Sequence, residues 1–160
     1  GIKVLKELPF MQKLAAEDAE LVLFAIQNHN KKLIAPTGNK RCLLFARLLR
    51  DADKLDIYRV LSPFIAPSDG TGFSPDFLEQ FVAGEQCDYT RIRTQDDRKL
   101  VRLMWVYDVN FSWTLQRIAE RGYIERIIRC LPDSERMQEG VRRLQDYVAR
   151  KCAAEDIAAL

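Results

Sequence analysis

The sequence predicts an all-α fold, and three observations carry that prediction. Apolar residues recur at helical spacing, most clearly at Met137, Val141, Leu144, Val148 and Cys152, which share one face of a 3.6-residue period. Start and stop residues punctuate these stretches at intervals suited to helices: Ser74-Pro75 and Thr94 open them, and Gly84, Gly122 and Pro132 close them. No segment shows the apolar-polar alternation of a half-buried strand.

Taken in order, Ile2, Leu5 and Leu8 predict a short opening helix that breaks near Pro9. A second helix spans 17–30, with Glu17, Asp18 and Glu20 at its positive end. Pro36 and Gly38 make 35–39 a loop, and a long helix follows over 40–61 until Pro63. The Pro/Gly/Ser-rich stretch 62–73 is a connection. Ser74 as N-cap and Pro75 at the first helical position open a helix that Gly84 ends. Thr94 caps an apolar helix through 100–107, another follows Asn110, and a short one over 123–131 meets Pro132. The last helix starts at Asp133 or Ser134.

Composition narrows the classes of function. With 160 residues, 48% hydrophobic and 30% charged, the chain can bury one real core. A net charge of +2 does not suit a polyanion binder. Arg142, Arg143, Arg150 and Lys151 lie on the last helix, but Glu135, Glu139 and Asp146 interrupt them, so nucleic acid is not an expected partner. No apolar run approaches the ~18 residues of a membrane span. Cys42, Cys87, Cys130 and Cys152 are scattered without a CxxC pair, which predicts reduced thiols and a cytoplasmic protein. Trp105, Tyr107, Phe111 and Trp113 are expected to pack in the core.

The chemistry-bearing segment is Arg50-Asp51-Ala52-Asp53-Lys54-Leu55-Asp56. On a helical wheel with Leu49 at zero, Cys42, Phe45 and Ala52 fall within about 60° and mark a buried face. Asp53 at about +40° and Asp56 at about −20° share that face, while Asp51 at about 200° points to solvent. Ionised carboxylates on a core face need compensation from a metal ion, an arginine or a hydrogen-bond network. The single histidine, His29, lies within about 60° of Val22, Ala25 and Ile26 and points inward. A neutral imidazole suits divalent metals, although a lone histidine is more often a hydrogen-bonded core residue. One histidine and one aspartate do not close a metal site.

The stretches Ala25-Ile-Gln-Asn-His-Asn30 and "LLRDADKLDIYRVL" resemble the last part of the HD superfamily of metal-dependent phosphohydrolases. That family's H…HD…D pattern lies on a helical bundle and holds one or two divalent metals. The resemblance puts its final aspartate, in a segment that typically reads A-D-x-L, at Asp53, and the additional histidine of many members at His29. "MWVYDVNFSWTLQRIAERGYIERI" and the last helix also resemble the tails of bacterial HD proteins.

The resemblance implies an HD-domain-like bundle incomplete at its N-terminus, with additional C-terminal helices. Residues 1–62 would be the C-terminal part of the HD-like domain, 63–73 a connecting loop, and 74–160 a helical extension. It implies hydrolysis of a phosphate ester on a phosphorylated small molecule or nucleotide. Asp53 and His29 would be metal ligands, Lys54 and Asn30 substrate contacts, and Asp56 an orienting group behind the ligands. Lys31, Lys32, Arg41 and Arg50 would lie near a bound phosphate. The metal is divalent, with Mn, Mg, Fe, Co, Ni and Zn undistinguished. The family's first histidine and its His-Asp pair have no counterpart, because His29 stands alone. They are expected upstream of Gly1, which makes this chain by itself an inactive fragment. A homodimer is compatible with the sequence. The competing expectation is a non-catalytic helical module that binds a ligand or a protein.

Overall fold

The helical periodicity resolves into eight α-helices, with no strand, among the residues that the computed structural model describes, 2–86 and 89–154. They are α1 (Ile2–Glu7), α2 (Ala16–Asn28), α3 (Lys40–Leu61), α4 (Pro75–Ala83), α5 (Gln95–Met104), α6 (Ser112–Glu120), α7 (Tyr123–Ile128) and α8 (Glu135–Ala153). Short 3-10 turns fill several connections, among them Ser62–Phe64 and Trp105–Asp108. No helix is long and apolar enough to cross a membrane among the described residues. Cys42, Cys130 and Cys152 are free thiols, while Cys87 lies outside the described residues.

The chain divides into two compact units between Asp53 and Lys54, inside α3. The first unit carries α1, α2 and the N-terminal part of α3. Its buried apolar residues are few: Met11, Leu21, Ala25, Cys42 and Ala46. Buried polar groups complete it, with Asn28, Arg50 and Asp51 all under 5% exposed. Asn28 bridges two segments, donating from its amide nitrogen to Phe24 O (2.8 Å) and accepting from Ala35 N–H at Oδ1 (2.9 Å).

The second unit holds the large apolar core. Phe77 and Phe81 of α4, Leu100, Leu103 and Met104 of α5, Leu115 and Ile118 of α6, Ile127 of α7 and Leu144 of α8 are all nearly or fully buried. Helices α4 and α8 meet where α8 has no side chain: a Cβ on Gly140 would stand 2.5 Å from two ring carbons of Phe81. Gly84 ends α4 in the left-handed region at φ 71°, and Glu85 N–H reaches back to Gln80 O at 3.0 Å. Only glycine takes that backbone without strain.

Asp97 organises the start of α5. Thr94 and Asp97 form a reciprocal capping box. The Asp97 carboxylate also accepts from Ser74 N–H (2.8 Å) and Ser74 Oγ–H (2.7 Å). Ser74 therefore does not cap α4 through its side chain, as its position predicts; its hydroxyl is spent on Asp97. Nearby, Lys99 Nζ bonds Asp96 Oδ1 (2.8 Å) and Cys130 O (2.9 Å), and Ser68 Oγ–H donates to Asp96 Oδ2 (2.5 Å). The Ser68 bond pins the 62–73 connection to α5, and Lys99 ties α5 to the segment after α7.

The aromatic expectation holds for Phe111, which is buried, and for Trp105, whose ring packs edge-on to Tyr58 at 5.9 Å. It fails at Trp113, which is 58% exposed with the Arg117 guanidinium 5.7 Å from its ring centre.

The predicted buried face of α3 is corrected. Cys42, Ala46, Arg50, Lys54 and Tyr58 form the buried stripe, whereas Phe45 is 42% exposed and Ala52 is exposed. A spacing of four advances about 40° per step, so the stripe turns through about 160° over these residues. A single face centred on Leu49 cannot describe it. Asp51, expected in solvent, is only 2% exposed.

Candidate functional site

His29 caps the C-terminus of α2, where the run of apolar and acidic residues gives way to the polar 28–32 stretch. It is half-buried, and its Nδ1 lies 2.6 Å from Ile26 O. A carbonyl only accepts, so Nδ1 carries the proton, and in the neutral ring Nε2 is left with its lone pair. The same backbone bond orients the ring in many metal-ligating histidines. No hydrogen bond or ion pair engages Nε2 among the described residues.

Arg50 ties this corner to α3. Its Nη1 donates to Asn28 O (3.0 Å) and to Lys31 O, and its Nη2 donates to Lys32 O (3.4 Å). The carbonyls on both sides of His29 are thus gripped by a side chain one helical turn before Asp53. The sequence suggested a phosphate contact for Arg50. The structure gives it a buried structural task instead, because three backbone acceptors occupy its guanidinium.

Asp53 is half-buried, and its carboxylate has no hydrogen bond or ion pair among the described residues. Asp51, two residues earlier, is buried and engaged within the protein. The two carboxylates of the Asp-Ala-Asp segment therefore differ: one is committed to the fold and the other is offered.

The other expected site residues differ in exposure and partners. Asn30 is exposed, as are Lys31 and Lys32. Arg41 pairs with Asp18 at 3.3 Å on the surface. Asp56, expected on the core side, has a 60% exposed side chain paired with Arg59 at 2.7 Å, because the buried stripe has rotated away from it. Lys54, expected at a phosphate, is buried and its Nζ lies 2.6 Å from Asp108 Oδ2. Among the described residues no group of three His, Cys, Asp or Glu side chains is placed to hold a metal ion. Asp53 and His29 fit a divalent ion in kind, as carboxylate and imidazole, but not in number.

Sequence reasoning missed Arg50 as the clamp on the His29 corner. Its signal was the spacing Cys42, Ala46, Arg50, which extends a buried stripe to a charged residue. No family model, no curated protein and no solved structure matches the chain.

Proposed function

We propose that this chain is part of an HD-type metal-dependent phosphohydrolase acting on a phosphate ester, in which Asp53 and His29 supply a carboxylate and an imidazole to a centre completed by residues outside this sequence. The observation that carries the reading is the half-buried Asp53 carboxylate in the Arg-Asp-Ala-Asp-Lys-Leu-Asp segment, without a partner among the described residues. A carboxylate that no protein group engages is available to a ligand, and carboxylate oxygen suits a divalent ion. His29, with Nδ1 committed to Ile26 O, offers Nε2 in the form a cation accepts. A divalent ion bound there would activate water and polarise a phosphoryl oxygen. Arg50 keeps the His29 corner in place. Asp51 and Lys54 hold the fold and do not touch substrate in this reading.

Phosphate release from nucleoside monophosphates and p-nitrophenyl phosphate by the full-length protein, with manganese and with EDTA, tests it. EDTA-sensitive release supports the reading. No release with any divalent metal supports the competing one, a non-catalytic helical binding module, which the lack of a third ligand among the described residues favours.

A further inference from the structure

We propose that the groove between residues 64–69 and one face of α5, in the second unit, binds a mononucleotide. The inference goes beyond the phosphohydrolase reading and uses none of its residues.

The groove encloses about 310 Å³, at the lower end of the roughly 300–1,000 Å³ typical of small-molecule sites. One wall is apolar: Phe64, Ile65 and Pro67. Phe64 is 76% exposed, so most of its aromatic ring stands in water. The opposite wall is α5, which presents Gln95, Arg98 and Arg102 at successive turns.

Arg98 and Arg102 are neighbours at i and i+4, where like charges repel. Neither guanidinium has an ion-pair or hydrogen-bond partner among the described residues. Burial and the nearby charge of Arg98 both hold Arg102 below its ordinary value, as expected of a cation without a counter-ion. Lys99 also lines the groove, but Asp96 and Cys130 O take its ammonium. Asp69 is the one carboxylate on the lining. It accepts from Thr71 N–H (3.0 Å) and Thr71 Oγ1–H (2.6 Å), bonds that keep it in its own loop.

Two unpaired guanidinium forks call for an acceptor with several oxygens and close to two negative charges. A phosphate monoester, at about −1.5 to −2, meets that better than a single carboxylate. The exposed Phe64 ring calls for a flat ring to stack on it. The Gln95 amide offers a donor and an acceptor to the edge of such a ring. A ligand with a phosphate, a flat ring and hydrogen-bonding edges, in this volume, is a mononucleotide. The two walls are tied together by the Ser68 Oγ–H bond to Asp96 Oδ2, which holds the 62–73 segment against α5.

Isothermal titration of AMP, inorganic phosphate and adenosine into the full chain, with EDTA present, tests the proposal. The same titration of the Asp53→Asn chain separates this groove from any binding at Asp53. AMP is expected to bind at least about tenfold more tightly than phosphate or adenosine, equally in both chains. Arg98→Glu, at an exposed position, should weaken AMP at least about tenfold. Phe64→Ala should weaken AMP about fivefold and leave phosphate unchanged. AMP binding no tighter than phosphate, AMP binding indifferent to Arg98→Glu, or Arg98-dependent binding of an acidic peptide but not of AMP would each overturn it.

Discussion

Lys54 Nζ lies 2.6 Å from Asp108 Oδ2, and only 11% and 26% of the two side chains remain exposed. The ammonium of Lys54, which the sequence offers as a phosphate contact, is engaged by a carboxylate within the second unit. Lys54→Met should lower stability by about 2 kcal/mol, because it leaves the Asp108 carboxylate poorly solvated. Lys54→Met with Asp108→Asn should recover part of that loss. Urea midpoints of the three chains check this, and equal midpoints for the single and double variants would show no coupling.

At Gly140 the backbone of α8 lies against the Phe81 ring of α4. Alanine at an exposed helical site would gain about 1 kcal/mol over glycine. Here its Cβ would stand 2.5 Å from the fully buried Phe81 ring, which is packed on every side. Gly140→Ala should therefore destabilise by about 1–3 kcal/mol, and thermal melting gives the sign directly.

Asp97 sets a pH dependence. Burial alone would raise its carboxyl, but hydrogen bonds from the Ser74 hydroxyl and from the Ser74, Arg93 and Thr94 N–H groups outweigh that and hold it below its ordinary value. A depressed folded value contributes stability above the unfolded carboxyl value of about 3.9 and loses it as pH falls through the folded value. Asp97→Ala should cost about 3 kcal/mol at pH 7, from the lost cap and the orphaned donors. The gap between wild type and variant should narrow as pH falls from 5 toward 2. A gap that widens on acidification would contradict the account.

The two aspartates on α3 should separate by readout. Asp51→Asn replaces a carboxylate that is 2% exposed and engaged within the protein, so it should lower the unfolding midpoint. Asp53→Asn changes a half-buried carboxylate with no partner among the described residues and should leave that midpoint nearly unchanged. Paired urea titrations check this, and an equal loss from both would remove the distinction.

Much of the helical architecture was legible in the sequence because caps and stops are local chemistry. Thr94, Gly84, Pro75 and Ser134 each act within a few residues of where they stand. The side-chain assignments on α3 were less legible. A helical wheel assumes one buried face, whereas the stripe from Cys42 to Tyr58 rotates and recruits Arg50, Asp51 and Lys54. The partners of those charges, Asn28 and Lys31 carbonyls 22 and 19 residues away and Asp108 further still, carry no local signal. Ser74 shows the same limit: its position suits a cap, and a carboxylate from another helix takes its hydroxyl.

The most direct measurement is the metal content and EDTA-sensitive phosphate release of the full-length protein beside its Asp53→Asn variant, at matched unfolding midpoints. The account predicts that the wild-type protein retains a divalent metal and releases phosphate, and that the variant loses both by at least about a hundredfold in rate. An Asp53→Asn protein that keeps its metal and its turnover, or a wild-type protein with neither, would contradict it.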